Sequence, residues 1–154
     1  MNSIFSKLEW LNQLSTRLTS GFDSLGLLAL RLYVSSIFIK AGWLKLKDWE
    51  TTLFLFEEEY QVPILSPEIA AWAGTFGEIV FPLLLILGLL TRYAALGLFV
   101  VNVVAVYSLA EIAPAALASH ITWGLAMAVL VVWGAGYLSL DKLLTRFSNK
   151  PVII

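Results

Sequence analysis

The chain has 154 residues, of which 59% are hydrophobic and 14% are charged. Soluble domains average about 45–50% apolar and about 25% charged residues, so this composition predicts a membrane protein of a single domain. Ten basic against eleven acidic residues give a formal charge of −1, which excludes the basic surface that nucleic-acid binding requires. Because cysteine is absent, disulfides, thiolate metal sites and thiol catalysis are also excluded within this chain.

The first 23 residues mix polar and apolar side chains, without the uncharged core and small-residue cleavage site of a cleaved signal peptide. Apolar residues recur there at helical spacing, namely Ile4, Leu8, Leu11, Leu14, Leu18 and Phe22. This pattern predicts an interfacial N-terminal helix over 1–23, lying on the cytoplasmic side of the membrane.

Four later stretches are apolar over the roughly 20 residues that a membrane crossing requires. They are 24–44, 69–90, 93–112 and 119–140. The turn Leu90–Tyr93 is so short that the second and third spans must be antiparallel neighbours. Glycines within the spans allow close helix packing. The sequence therefore predicts an all-α polytopic membrane protein built as a four-helix bundle, with residues 141–154 as a tail.

The loop between the first two spans, residues 45–68, carries a second amphipathic pattern. Trp49, Leu53, Phe56 and Tyr60 recur at helical spacing and predict a helix that caps the bundle on its outer side. The acidic run 57–59 follows before the proline at position 63. This run forms either a solvated face or a docking surface for a basic or metal-carrying protein partner.

Basic residues decide the orientation of the spans. One side has six of them, Lys7, Arg17, Arg92, Lys142, Arg146 and Lys150, whereas the other side has only Lys45 and Lys47 among many acids. This distribution predicts a multi-pass membrane protein with both termini on the cytoplasmic side.

Ionisable residues inside the predicted spans are costly and require a partner or water. Counting 1.5 Å per residue places Arg31 and Glu78 about 6 Å apart in depth, with Asn102 close to them. These three residues are expected to form one buried polar cluster. Arg31 and Glu78 form either a structural pair that fixes helix register or a site that handles protons or binds a ligand. Pro82 supports the second reading, because it removes the N–H that would otherwise bond the carbonyl of residue 78.

The first span has one polar stripe that is expected to face the bundle interior: Arg31, Ser35, Phe38, Gly42 and Lys45. Lys40 lies on the opposite face. Lys45, His120, Trp123 and Trp43 are expected near the outer side, together with Glu111. They form either an ordinary aromatic belt or the lining of a ligand site in which His120 exchanges protons. One histidine and no cysteine do not complete a four-ligand metal site.

Several short motifs, taken in order, resemble the DoxX family of small bacterial four-helix membrane proteins. They are Arg31-Leu32, Gly42-Trp43-Leu44-Lys45-Leu46, Glu78, Gly88-Leu89-Leu90-Thr91-Arg92 with Ala94-Ala95, and Tyr137-Leu138-Ser139-Leu140-Asp141. The resemblance implies a membrane subunit such as that of a thiosulfate:quinone oxidoreductase, or a role in oxidative, thiol or catechol stress. The stretches 49–63 and 120–124 are similar to a subgroup that occurs beside small metal-binding peptides and their maturation enzymes.

Three functions fit these observations. The first is a quinone-linked redox membrane subunit, which binds an isoprenoid quinone between its helices and takes electrons from a partner protein. The second is a non-catalytic membrane scaffold whose acidic outer loop recruits a partner. The third is a small permease, which would require a homodimer because four helices leave little lumen.

Overall fold

The computed structural model describes residues 2–148, with side chains for residues 9, 10 and 22–147. This part of the chain is helical and contains no named strand. Its helices are α1 (Asn2–Lys47), α2 (Trp49–Glu58), α3 (Pro67–Leu87), α4 (Thr91–Tyr107), α5 (Pro114–Trp133) and α6 (Leu140–Ser148). The predicted all-α class is confirmed.

Three helices are long and apolar enough to cross a membrane: Phe22–Lys47 within α1, α3 and α5. The apolar helix α4 has 17 residues and is about 25 Å long, slightly less than a hydrocarbon core of about 30 Å. Large apolar side chains such as Phe76, Leu125 and Trp133 are exposed on the outside of the bundle, as lipid contact requires. The chain is thus a helical membrane protein, and the count of four crossings stays a prediction.

The helix boundaries differ from the predicted spans at several ends, and α5 begins at Pro114 rather than at residue 119. α1 runs without a break through residue 23, so the N-terminal segment is not a separate helix. Its interfacial position stays a prediction. α4 ends at Tyr107 rather than at residue 112, and α5 ends at Trp133 rather than at residue 140. The tail contains the short helix α6, and residues 149–154 lie outside the described part.

The core lies among α1, α3, α4 and α5. Its central side chains include Val34, Leu85, Leu98 and Met127, all fully buried. The predicted interior stripe of α1 is confirmed, since four of its members are buried and Lys45 is half-buried. At Gly42 an added Cβ would lie 3.0 Å from the Cβ of Glu78, so this glycine allows α1 and α3 to approach closely.

The predicted amphipathic loop helix is α2. The Asp48 carboxylate caps it by accepting from the backbone N–H of Thr51 at 3.1 Å. Phe56 packs against the small residues Ala70 and Ala71 at the start of α3. α2 therefore covers one end of the bundle, which we call the α2 end; the opposite end, with the α3–α4 turn and α6, is the α6 end.

Candidate functional site

A cavity of about 490 Å³ opens inside the bundle beneath α2. Along α1 its lining runs from Lys45 to Ile37, a depth of about 12 Å. We call it the Glu78 cavity. Most of its wall is apolar, and its polar lining residues are Lys45, Tyr60, Glu78, Ser108, His120 and Trp123. An apolar cavity with a few convergent polar groups is the usual form of a small-molecule site.

The Glu78 carboxylate is held by Lys45 across the α1–α3 contact. The Lys45 Nζ lies 2.6 Å from Glu78 Oε2, with side chains 23% and 9% exposed. No other ion pair occurs among the residues with described side chains. A buried carboxylate is costly unless it is paired, so this contact sets both the charge and the position of Glu78. Glu78 Oε1 accepts no hydrogen bond from the described residues.

His120 is positioned by Asn102 of α4. The Asn102 Nδ2 donates to the carbonyl oxygen of His120 at 3.0 Å, which orients the amide. Asn102 Oδ1 then lies 2.8 Å from His120 Nδ1. Because an amide oxygen only accepts, we assign the proton of the neutral ring to Nδ1, which leaves Nε2 able to accept a proton or hydrogen bond. The Trp123 ring contacts the His120 ring edge-to-face, with 4.9 Å between the ring centres.

The segment after α2 closes the cavity at its α2 end. Tyr60 pairs with Leu109 in an isolated antiparallel bridge, and the Gln61 N–H donates to the Ser108 carbonyl at 2.7 Å. Burial raises the pKa of the Tyr60 phenol, and the negative charges of Glu59 and Glu78 raise it further. Tyr60 therefore stays protonated at neutral pH and is a hydrogen-bond donor at the cavity wall.

Arg31 lies elsewhere, so the prediction that it faces Glu78 is wrong. Its Nε donates to the Leu85 carbonyl at 2.7 Å, and one terminal nitrogen donates to Ile86 at 3.0 Å. The other terminal nitrogen donates to Ala135 at 2.6 Å and to Leu138 at 2.9 Å. Arg31 is 1% exposed and does not line the Glu78 cavity. Its geometry supports a structural role.

The structure brings together four of the predicted ligand-site and proton-handling residues in one cavity, Glu78, Lys45, His120 and Trp123. Asn102 supports the site through His120 instead of joining Arg31 and Glu78. Trp43 is 64% exposed and lies outside the cavity lining, which agrees with the alternative of an aromatic belt. Among the described residues, no group of three His, Asp or Glu side chains is arranged to hold a metal.

Sequence reasoning missed Tyr60 and Ser108 as cavity residues. The sequence pattern places Tyr60 only on the apolar stripe of the loop helix, whereas in the structure it lies just beyond the end of α2. Ser108 is the C-terminal cap of α4 and lies four positions before the predicted end of the third span, so the sequence places it inside a helix. Helical periodicity carries no signal for either residue, because both act where helices end.

Two motifs that carry the resemblance contact each other at the α6 end. The Asp141 carboxylate accepts from the backbone N–H groups of Leu90 at 2.8 Å and Thr91 at 3.0 Å, which caps α4. Gly88 has a left-handed φ of 66°, and a Cβ there would lie 2.9 Å from an Arg31 nitrogen. Arg31, Gly88 and Asp141 thus belong to one structural junction.

The fold and the cavity define a small helical membrane protein with a largely apolar internal site that contains a buried ion pair. The sequence model of the DoxX family matches residues 26–111. An uncharacterized protein of Haemophilus influenzae is 30% identical over 133 residues, covering 80% of this chain and 86% of that protein. No solved structure matches the chain. The protein belongs to the DoxX family, as its sequence motifs predicted.

Proposed function

We propose that the Glu78 cavity binds the head group of an isoprenoid quinone, and that the protein is a quinone-linked membrane subunit. The observation that carries this proposal is the cavity itself: about 490 Å³ of mostly apolar space that collects Lys45, Glu78, His120 and Trp123. A sealed bundle would have argued strongly against quinone binding. Ligand sites commonly have volumes of about 300–1,000 Å³.

The donor set suits a ring with two carbonyl oxygens. Lys45, the Tyr60 hydroxyl and the Trp123 indole are hydrogen-bond donors on different walls of the cavity. The apolar residues between them, including Phe38 and Val101, suit the flat ring and its substituents. These residues would hold the head group and orient its oxygens toward the polar side chains.

The proton-handling groups suit the same ligand. A bound quinone would supply a carrier for two electrons and two protons. The neutral His120 ring presents Nε2 as a proton acceptor, while Asn102 holds the proton on Nδ1. Glu78 and Lys45 form a hydrogen-bonded acid–base pair in the same cavity. The chain has no cysteine, so electrons would come from a partner protein.

Filling the cavity is expected to abolish quinone binding without altering its charges. A Cβ at Gly74 would meet only the Phe56 ring, at 3.6 Å, so Gly74→Leu directs its side chain into the open space. We expect at least a roughly tenfold weaker binding of ubiquinone-1, because the head group loses its space and apolar contacts. Quenching of tryptophan fluorescence in purified protein measures this binding.

The matched control is Gly26→Leu, because nothing lies within 4 Å of a Cβ at Gly26 and this residue does not line the cavity. Gly26→Leu should bind ubiquinone-1 like the wild type. Equal binding by Gly74→Leu and wild type, with both folded, would refute the proposed site. Extraction of quinone from protein purified out of native membranes provides a second readout.

For the setting, we propose the bacterial inner membrane with both termini cytoplasmic. Arg92, Lys142 and Arg146 lie at the α6 end, whereas the acidic run 57–59 lies at the α2 end. An excess of basic residues marks the cytoplasmic side of membrane proteins. The α2 end, and with it the Glu78 cavity beneath α2, would then lie toward the periplasmic side.

A second candidate function is a scaffold that recruits a protein partner, and the exposure of the acidic run favours it. Glu57, Glu58 and Glu59 are all exposed, next to the segment after α2 that lines the Glu78 cavity. Changing all three to glutamine is expected to abolish co-purification of the partner from native membranes. Changing the exposed acids Glu50 and Glu68 should leave it intact. If both sets of variants retain the partner equally, the acidic run is only a solvated face.

A further inference from the structure

A second cavity, of about 370 Å³, lies at the α6 end and is separate from the Glu78 cavity. We call it the Arg92 cavity. It is formed by the start of the apolar part of α1, the first turn of α4 and the chain between α5 and α6. Its charged lining residues are Asp23, Arg92, Asp141 and Lys142. None of the functions considered above uses it.

Arg92 is the unusual residue of this cavity. Its Nε is buried and has no hydrogen-bond partner among the described residues. At Gly134 an added Cβ would lie 3.3 Å from this nitrogen, so the glycine makes room for the guanidinium. A buried cationic N–H without an acceptor costs free energy. Because the Nε itself is closed to solvent, an acceptor from outside the chain would meet the terminal nitrogens of the half-buried Arg92 guanidinium.

The neighbouring acids do not provide that acceptor. Both oxygens of Asp141 are occupied by the backbone N–H groups that begin α4. Asp23 lines the cavity but forms no ion pair within 4 Å among the described side chains. Lys142 adds a further positive charge, with its Nζ 5.1 Å from the centre of the Tyr137 ring. Neither of the two cations that line the cavity, Arg92 and Lys142, forms an ion pair with Asp23 or Asp141 among the described side chains.

The surroundings of the cavity indicate where the anion comes from. Trp133 and Tyr137 line it and are largely exposed, as side chains at a membrane interface are. The apolar face of α6, with Leu143, Leu144 and Phe147, is exposed at the same end. Basic pockets between membrane helices bind phosphate-bearing head groups, and an arginine fork matches phosphate oxygens.

We propose that the Arg92 cavity binds a phosphate group, presented by the head group of an anionic phospholipid. Arg92 is the main partner of the phosphate, and Lys142 adds attraction from the rim. The acyl chains lie along the exposed apolar side chains next to the cavity. This proposal is independent of quinone binding.

The test compares lipid binding by wild type and Arg92→Gln in a neutral detergent. Native mass spectrometry with added dioleoylphosphatidylglycerol should show at least a roughly tenfold loss of affinity in Arg92→Gln, because a charge-assisted contact is removed. Arg146→Gln is the matched control, since Arg146 is an exposed cation on α6 outside the cavity lining. It should bind like the wild type. Arg92→Lys should retain part of the affinity as a point charge.

Thermal unfolding provides the second readout. Without added lipid, Arg92→Gln should unfold at the same temperature as wild type or higher, since it removes a half-buried cation that forms no ion pair among the described side chains. Equal phosphatidylglycerol affinity in wild type and Arg92→Gln would overturn the proposal, as would equal wild-type affinity for phosphatidylcholine. Stabilisation by inorganic phosphate that requires Arg92, without any lipid effect, would support the phosphate site and overturn its lipid source.

Discussion

Arg31→Met is expected to destabilise the bundle by roughly 3–5 kcal/mol, the largest effect of any single substitution proposed here. Arg31 is 1% exposed, and its guanidinium donates to four backbone carbonyls between 2.6 and 3.0 Å away. Methionine keeps the apolar stem but leaves those carbonyls without their donors. Two of them belong to the last turn of α3, and two belong to the chain that follows α5.

Unfolding of the purified protein in detergent, followed by circular dichroism, measures this loss. Lys40→Met is the matched control, because Lys40 is an exposed cation on the opposite face of the same helix. It should change the stability by less than about 1 kcal/mol. The stability of Arg31→Lys should fall between those of Arg31→Met and Lys40→Met, since one ammonium group does not reproduce the planar guanidinium fork. Wild-type stability in Arg31→Met would show that the carbonyl contacts contribute little.

The contacts of Arg31 explain why a charge is tolerated at this position. The carbonyls of Leu85 and Ile86 lie at the negative end of the α3 dipole, and the charge of Asp141 also acts on Arg31. The chain after α5 closes over the guanidinium through Ala135 and Leu138. Arg31 therefore joins three segments at the α6 end, independently of the chemistry proposed at the Glu78 cavity.

Helical periodicity was sufficient to predict which face of α1 is buried. The spacing of Arg31, Ser35, Phe38 and Gly42 places them on one stripe, and all four are buried. Periodicity depends only on the local geometry of one helix. It therefore predicts the inward face of each helix without fixing which residues of two helices lie level.

That register is what the sequence did not predict. The sequence prediction assumes that the first two hydrophobic segments begin and end at the same membrane depths. On that assumption Glu78 lies within about 6 Å of Arg31 in depth. In the structure Gly42 lies beside Glu78, and Ser35 donates to the Pro82 carbonyl at 3.1 Å. Eleven residues separate Arg31 from Gly42, about 16 Å along the axis. About three turns of α3 precede Glu78. Because α1 continues five residues beyond Gly42, only the first one to two of these turns lie past the end of α1, where α2 packs on α3.

The end of α5 was mispredicted for a related reason. An apolar run continues to residue 140, and hydrophobicity alone extends the span through it. Gly134 and Gly136 have φ values of 76° and 73°, which end the helix and turn the chain toward Arg31. The sequence pattern predicts these two glycines only as small packing residues. A turn of this kind follows from backbone conformation, which the hydrophobic pattern does not report.

Removing one partner of the Lys45–Glu78 pair is expected to destabilise the protein. Removing both charges together is expected to restore its stability. Lys45→Met leaves a carboxylate that is 9% exposed without its only described partner, at a cost of about 3 kcal/mol. Glu78→Met should cost less, because the Lys45 side chain is 23% exposed and can extend toward water. The double variant should return to within about 1 kcal/mol of wild type.

The same three variants separate folding from ligand binding. Ubiquinone-1 binding should be weakened in each of them, including the stable double variant, if the ion pair contacts the head group. Lys40→Met is again the control, since it removes a lysine from α1 without touching the cavity. Wild-type ubiquinone-1 affinity in a folded double variant would show that the pair serves only to hold α1 against α3. The remaining polar wall of His120 and Trp123 would then have to account for any quinone that binds.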